Sequence, residues 1–187
     1  EAARKEERER EERLRRDCVR YDALCVKQVY PLLKKFDFDA AILACNGLQG
    51  VLETDELKKI VTARLGNLQG ASRLKAAFLK RLNEPGQGKP QWQYKGNIHE
   101  IIGGTPSQVD LKLPSGKISE SWEKVFTPAE YVDFVNNLWK MSPEEQRCMV
   151  LLSLELGQYE FAAKVLDRMD VPDASSAAFV DDYRRIA

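Results

Sequence analysis

The hydrophobic pattern changes its period in the middle of the chain, and this change constrains the fold more than any other feature. Over residues 108–113 apolar and polar side chains alternate one by one, which is the period of a β-strand with one buried face. On either side of residues 92–126 the apolar residues recur every three or four positions, as they do in amphipathic helices. The sequence therefore predicts an α+β fold that is mostly helical, with a small sheet in its middle.

The middle segment predicts a three-stranded antiparallel β-meander. Its first strand covers 97–102 and follows Trp92 and Tyr94, its second covers 108–113, and its third covers 117–122. Turns that contain glycine and proline separate these strands. Because a sheet this small needs a cover over its apolar face, we expect helix hairpins to flank it, and a small SH3-like barrel is the alternative arrangement.

The pattern divides the whole chain into four regions. Residues 1–84 form an N-terminal helical region, residues 85–91 a linker, residues 92–126 the β module, and residues 127–187 a C-terminal helical region. The linker is the segment richest in glycine and proline, which end helices and favour turns.

The N-terminal region begins with a highly charged helix. Glu and Arg dominate residues 1–17, and pairs four positions apart, such as Glu9 with Arg13, stabilise an exposed helix by about 0.2–0.5 kcal/mol each. An apolar stripe that starts at Leu14 predicts packing on a neighbouring helix, and a coiled-coil dimer seam is the alternative. The first residues have the composition of a helix interior, so we expect an upstream segment of a longer protein. Pro31 predicts a kink or a new helix start.

A long helix is predicted that starts after Thr54 or Asp55 as its N-cap and runs to Leu82. Gly66 and Gly70 interrupt its apolar pattern, and each costs about 1 kcal/mol relative to alanine inside a helix. We expect them to allow a close helix crossing within a continuous or slightly bent helix.

Capping patterns define the helices of the C-terminal region. Residues 127–130 and 142–145 each have the sequence of a capping box, with proline at the first helical position. A third helix is predicted over 159–169, and a last short helix over 177–186.

The sequence at 156–166, Leu-Gly-Gln-Tyr-Glu-Phe-Ala-Ala-Lys-Val-Leu, resembles the turn and second helix of a tetratricopeptide (TPR) hairpin. In such repeats a glycine and an aromatic residue, here Tyr159, open the second helix, and a small residue, here Ala162, follows three positions later. Phe38 and Ala41 repeat the aromatic and small pair. The resemblance implies a TPR-like C-terminal region with an interaction role, although no tandem period of the kind found in solenoids extends it.

A second resemblance covers residues 109–138. The order of strand, turn, strand, Trp122 and a helix that starts with Thr-Pro looks like accessory modules found beside larger domains in planctomycete-type bacterial proteins. This resemblance implies a module of a larger bacterial protein and no particular chemistry.

Few residues offer catalytic or metal chemistry. His99 is the only histidine, and its neighbour Glu100 would point to the opposite face of a strand. The cysteines form no CxxC pair and are expected to be buried free thiols. The glycines at 103–104 lead into a proline and a strand, whereas a phosphate cradle needs a helix N-terminus there. The carboxylate pairs at 37/39 and 181/182 lack catalytic partners, so we expect no enzyme, no cofactor and no metal.

The overall charge also limits the possible partners. Lys plus Arg equals Asp plus Glu at 29 each, so no global field favours nucleic acid. No apolar run approaches the roughly 20 residues of a membrane span. The sequence does not determine the cellular compartment, and the cytoplasm is slightly favoured.

Trp92 and Tyr94 are the candidate binding residues. Together with Lys95 they combine aromatic and basic character after a flexible linker, as in single-strand nucleic-acid platforms, and packing at the edge of the meander is the structural alternative. We predict a non-catalytic protein-interaction or scaffolding module whose partner is another protein or an upstream domain of the same chain. A nucleic-acid-binding module that uses the meander is the first alternative, and an enzyme of unknown class is the second.

Overall fold

The computed structural model describes residues 2–85 and 88–169 of the chain. The fold is α+β and mostly helical, as the sequence predicts. The helices are α1 (Ala2–Leu24), α2 (Tyr30–Lys34), α3 (Phe38–Leu48), α4 (Asp55–Asn83), α5 (Trp122–Val125), α6 (Pro128–Leu138), α7 (Pro143–Glu155) and α8 (Tyr159–Arg168). The strands are β1 (Gln91–Tyr94), β2 (Asn97–Gly104), β3 (Gln108–Leu113) and β4 (Gly116–Ser121).

The sheet is antiparallel and has four strands in the order β1-β2-β3-β4, so the predicted number of three is wrong. The extra strand arises because a tight turn at Lys95 and Gly96 separates β1 from β2. Both residues have positive φ angles, 50° and 80°, which is the backbone of a type I′ hairpin turn. Tyr94 pairs with Asn97 across this turn. β1 begins at Gln91, which is the last residue of the predicted linker.

The third predicted strand is too long by one residue, because Trp122 opens α5 instead of ending β4. Its ring is fully buried, and the indole Nε1–H donates a hydrogen bond of 2.9 Å to the carbonyl of Thr105. The ring lies against Gly104, where an added Cβ would come within 2.9 Å of the indole. The glycine thus provides space for a buried aromatic side chain.

A π-helical turn, Cys25–Val29, joins α1 to α2. The backbone N–H of Tyr30 donates to the carbonyl of Cys25, five residues earlier. Pro31 explains this widening, since proline has no N–H and its ring would collide with the carbonyl four residues earlier in a regular α-helix. The predicted kink or helix start at Pro31 therefore takes the form of a π turn and a new α-helix.

α4 is the central helix of the fold. It runs without a break from Asp55 to Asn83, which confirms the prediction of a continuous helix. One side packs on α3 and another on α7. Gly70 lies at the crossing with α7, where an added Cβ would be 2.5 Å from Cδ1 of Leu151. The close helix crossing predicted for this glycine is therefore present, whereas Gly66 has open space around it.

The start of α4 is fixed by a residue from α1. Of the two predicted N-cap residues, Thr54 is the one that the structure shows. Its side chain makes no capping hydrogen bond. Instead the buried carboxylate of Asp17 accepts hydrogen bonds from the backbone N–H groups of Glu53 and Thr54 at 2.8 and 2.7 Å. The Thr54 hydroxyl donates a third bond of 2.8 Å to the same oxygen. Asp17 thus holds α1 against the first turn of α4.

The capping boxes of the C-terminal region are confirmed. In each one the Ser or Thr side chain accepts from a backbone N–H, and the Glu side chain accepts from the N-cap backbone, at Thr127 and Glu130 and again at Ser142 and Glu145. The last predicted helix, 177–186, lies outside the described residues.

An aromatic cluster joins the sheet to the helices. Phe36 stacks on Tyr131 with 4.2 Å between ring centroids, and Phe78 meets Trp122 edge-on at 5.5 Å. These rings come from the turn after α2 and from α4, α5 and α6, and all four are buried. Within the described residues, no helix is both long enough and apolar enough to cross a membrane.

We predict that Asp17→Ala lowers the free energy of unfolding by about 1–3 kcal/mol, because three donors lose their shared acceptor. Burial alone would raise the pKa of Asp17, but the hydrogen bonds from Thr54 and Glu53 lower it overall. A carboxyl group with a lowered pKa contributes stability above its unfolded pKa of about 3.9 and loses it as the pH falls through the folded pKa. Urea unfolding at pH 7 should show the full effect of the variant.

The exposed Asp22 on the same helix provides the control for this measurement. Asp22→Ala should leave the unfolding free energy within about 0.5 kcal/mol of the wild type. An equal loss in both variants, or a difference between Asp17→Ala and wild type that stays constant down to about pH 2, would contradict the assigned role of Asp17.

Candidate binding cleft

An open cleft of about 660 Å³ lies where α1, α2, α4 and the α7–α8 hairpin meet. This volume is in the range of ligand-binding pockets in proteins. We call it the tyrosine cleft, because three tyrosines, Tyr21, Tyr30 and Tyr159, line it around the polar side chains of Arg64 and Glu155.

The π turn helps to bring two of these tyrosines to the same cleft. Tyr21 and Tyr30 are nine positions apart, and an unbroken α-helix would place them on roughly opposite sides. A π turn adds about one residue to a helical turn and so rotates Tyr30 back toward the side of Tyr21. The proline at position 31 therefore contributes to the shape of the cleft through the backbone.

The floor of the cleft is a buried ion pair. Arg64 Nε lies 3.0 Å from Glu155 Oε2, and the two side chains are 13% and 7% exposed. Arg64 Nη1 also donates to the hydroxyl of Tyr21 at 3.2 Å and to the sulfur of Cys25 at 3.3 Å. The amide of Asn67 donates to the other oxygen of Glu155 at 3.3 Å. The charges of the floor are therefore matched by each other and by neighbouring polar groups.

The guanidinium of Arg64 is also close to an aromatic ring, since its central carbon lies 5.1 Å from the ring centroid of Tyr30. A cation in such a position is attracted by the negative face of the ring. This contact connects the floor of the cleft with its aromatic wall.

Burial controls the protonation of the groups at the floor. Burial raises the pKa of Glu155, and the charge of Arg64 and the bond from Asn67 oppose this effect only in part. Burial likewise raises the pKa of Tyr21 to about 12 and raises the pKa of the Cys25 thiol. Tyr21 and Cys25 are thus neutral at pH 7, and a neutral thiol is a poor nucleophile.

The rim of the cleft is mostly apolar and open to solvent, and the exposed side chain of Lys34 also lines it. Tyr30, Ile60 and Tyr159 line the cleft and are 41%, 50% and 51% exposed. Grouped exposed apolar side chains around a concave surface are typical of interaction sites. The cleft thus combines a mostly apolar, accessible rim with a floor whose charges are already paired.

The structure places Trp92 and Tyr94 in β1, and neither lines the tyrosine cleft. Trp92 is half-buried and packs on Phe126 and Phe134, with ring centroids 4.7 and 5.5 Å apart. Tyr94 is buried, and its ring lies 6.4 Å from the ring of His99. Both aromatics therefore have internal packing partners, although Tyr94 also lines a separate groove beside Lys95.

The other residues considered from the sequence have structural contacts. The carboxylate of Asp37 caps α3 by accepting from the N–H of Ala40 at 3.1 Å, and Asp39 accepts from the hydroxyl of Ser72 at 2.5 Å. The carboxylate pair at 181/182 lies outside the described residues. Among residues 2–85 and 88–169, no three acidic, histidine or cysteine side chains come together as metal ligands.

Sequence reasoning missed the ion pair of the cleft, although a signal for it exists. Arg64 interrupts the apolar stripe of α4 between Val61 and Leu68, and Glu155 stands between two leucines near the end of α7. A charged residue inside an apolar stripe indicates a buried partner. The two residues are 91 positions apart, so no local pattern could pair them.

Comparisons with protein-family models, with curated proteins and with solved structures find no match for this chain.

We predict that Arg64→Met costs about 3–5 kcal/mol of unfolding free energy, because it leaves the Glu155 carboxylate buried without its cation. The double variant Arg64→Met/Glu155→Leu should recover most of this loss, since it removes both buried charges. Urea unfolding of the two variants measures both effects.

The surface pair of Arg73 and Glu144 is a matched control, because its side chains are 67% and 62% exposed. Arg73→Met should change the unfolding free energy by about 0–1 kcal/mol. If Arg64→Met costs no more than Arg73→Met, the buried ion pair of Arg64 with Glu155 does not stabilise the contact between α4 and α7.

Proposed function

We propose that the chain is a non-catalytic protein-interaction module of a larger bacterial protein, and that the tyrosine cleft receives an apolar side chain from a partner segment. The observation that carries this proposal is the exposed apolar rim of Tyr30, Ile60 and Tyr159 around a floor of matched charges. An apolar group that enters the cleft would remove these three side chains from water, which is favourable at roughly 25 cal/mol per Å² of apolar surface.

Because the charges of Arg64 and Glu155 at the floor are already paired, an uncharged group is the favoured occupant of the cleft. Arg64 is engaged by Glu155, Tyr21 and Cys25, so an incoming carboxylate would have to compete with bonds that already exist. Displacing a buried and paired charge is costly, because its partner would be left unpaired. An aromatic or aliphatic side chain, in contrast, needs no change in these bonds.

The same contacts support a role without catalysis. Arg64 donates hydrogen bonds to three titratable groups, which are Tyr21, Cys25 and Glu155. A general acid or base must instead be free to exchange a proton with a substrate at the operating pH. We therefore propose binding as the activity of this cleft.

The proposal also includes two details of the architecture, a TPR-like C-terminal hairpin and an SH3-like sheet. The α7–α8 hairpin, with Tyr159 at the rim and Ala162 in the core, supports a TPR-like use of helix pairs for binding. An SH3-like form of the sheet is supported by the approach of its two edges, since Lys95 Nζ lies 4.0 Å from Glu120 Oε1 of β4.

Selection of linear peptides from a display library tests the proposal. We expect enriched peptides to carry aromatic or large aliphatic residues and to lose about tenfold or more in affinity on Ile60→Asp and Tyr159→Ala, which remove the apolar rim. Leu43→Asp is the control, because Leu43 is 75% exposed on α3 and lies outside the cleft.

Each variant should first be shown to keep its thermal midpoint, since all three positions are exposed. If no enriched peptide with aromatic or large aliphatic residues loses affinity on both Ile60→Asp and Tyr159→Ala, the cleft is refuted as a binding site. Equal losses on Leu43→Asp would indicate a general effect of surface changes.

A further inference from the structure

The sheet has an edge that is independent of the tyrosine cleft. β1 is the first strand in the order, and among the described strands only β2 pairs with it. Trp92 of β1 also packs on Phe126 and on Phe134 of α6, but these are side-chain contacts, and no described strand pairs with the outer backbone edge of β1. An edge strand of this kind presents backbone N–H and C=O groups that another strand can bind.

The hydrogen-bonding pattern shows which groups of β1 point outward. The carbonyl of Pro90 accepts a bond of 2.8 Å from the N–H of Ile101 on β2. In an antiparallel ladder, hydrogen-bonded positions alternate with positions that face away from the neighbour. Trp92 and Tyr94 therefore direct their backbone groups toward β2, whereas those of Gln91 and Gln93 point to the outer edge.

A groove runs along this edge, between β1 and the end of β4 with α5. Its volume is about 510 Å³, and it is lined by Gln93, Tyr94, Lys95, Glu120, Lys124 and Val125. β1 and β4 do not pair with each other, although their ends approach through the ion pair of Lys95 with Glu120. The groove thus exposes unpaired strand backbone on one side.

The charge of the groove indicates which peptide it suits. Lys95 and Lys124 both approach Glu120, at 4.0 and 3.3 Å, so two ammonium groups face one carboxylate. Both lysine side chains are well exposed, at 72% and 66%. The excess positive charge attracts an acidic partner. The same charge disfavours pairing of β1 with β1 of a second copy, since that would bring two basic grooves together.

We propose that the β1 edge binds an extended, acidic segment of a partner protein as a fifth strand. Backbone hydrogen bonds from Gln91 and Gln93 supply the affinity, and Lys95 and Lys124 supply the preference for a carboxylate. Trp92 fixes the strand from its inner face by packing on Phe126 and Phe134, so the edge is held in place before the partner arrives.

Gln93→Pro is the decisive variant. Proline removes the outward N–H at this position, and the fold should survive because that N–H makes no bond to β2. Gln93→Thr is the matched control, since threonine keeps the N–H and suits a strand. Lys95→Glu reverses one of the two positive charges without altering the edge backbone.

The experiment is selection of linear peptides from a display library, with the wild-type protein as bait. We expect acidic peptides that bind Gln93→Thr as tightly as the wild type and that bind Gln93→Pro and Lys95→Glu about tenfold or more weakly. The same peptides should bind the cleft variant Ile60→Asp normally, which separates this edge from the cleft.

Hydrogen exchange on the wild-type protein provides a second measurement, which holds even if Gln93→Pro fails to fold. Binding of an enriched peptide should slow exchange of the Gln91 and Gln93 amides, with little change at Trp92 and Tyr94. Unchanged exchange at Gln91 and Gln93, or acidic peptides whose affinity depends on Ile60 and not on Gln93, would overturn the proposal. The proposal would also be overturned if no enriched peptide bound the Gln93→Thr protein more tightly than the Gln93→Pro protein.

Discussion

The ammonium group of Lys75 joins the helices of the first half of the chain to the sheet. From the middle of α4 its Nζ donates to the carbonyl of Phe36, at 2.6 Å, and to the carbonyl of Pro106, at 2.5 Å. It also lies 5.7 and 5.8 Å from the ring centroids of Phe38 and Trp122. One side chain thus contacts the turn before α3, the turn between β2 and β3, and the start of α5.

Burial of the Lys75 charge costs free energy, and its hydrogen bonds fix the positions of two turns. Lys75 is only 7% exposed, and burial of its charge lowers its pKa to about 8, although nearby Asp37, Asp39 and Glu123 act in the opposite direction. A buried cation is tolerated only where hydrogen-bond acceptors and aromatic faces replace water. The two carbonyls belong to turns that are 70 residues apart along the chain, so the arrangement of these turns depends on one buried charge. The regions predicted as 1–84 and 92–126 therefore meet at Lys75.

Local patterns in the sequence were sufficient for much of the fold. The capping boxes, the continuous α4 and the alternation in β3 depend on neighbouring residues only, and they are present as predicted. The type I′ turn at Lys95 and Gly96 was missed, because the dipeptide lacks the Asn or Asp that usually marks such turns. One unrecognised turn was enough to change the number of strands from three to four.

The polar contacts between distant elements could not be predicted in the same way. Asp17 with Thr54, Arg64 with Glu155, and Lys75 with two carbonyls all connect elements that are far apart in sequence. Each involves a charged residue that lies within or beside an apolar helix face, so the sequence shows the unusual residue but not its partner. The tyrosine cleft depends on one of these pairs and on the π turn before Pro31, and therefore it too was visible only in three dimensions.

The most direct measurement of the role of Lys75 compares the unfolding free energy of wild type and Lys75→Met between pH 7 and pH 10. The pKa of Lys75 is lowered from about 10.4 in the unfolded chain to about 8 in the folded protein, so between these values the unfolded chain binds more protons. Wild-type stability should therefore rise relative to Lys75→Met as the pH passes upward through this range, by on the order of 1–3 kcal/mol. Parallel pH curves for the two proteins would show that Lys75 is not buried as a charge at the junction of helices and sheet.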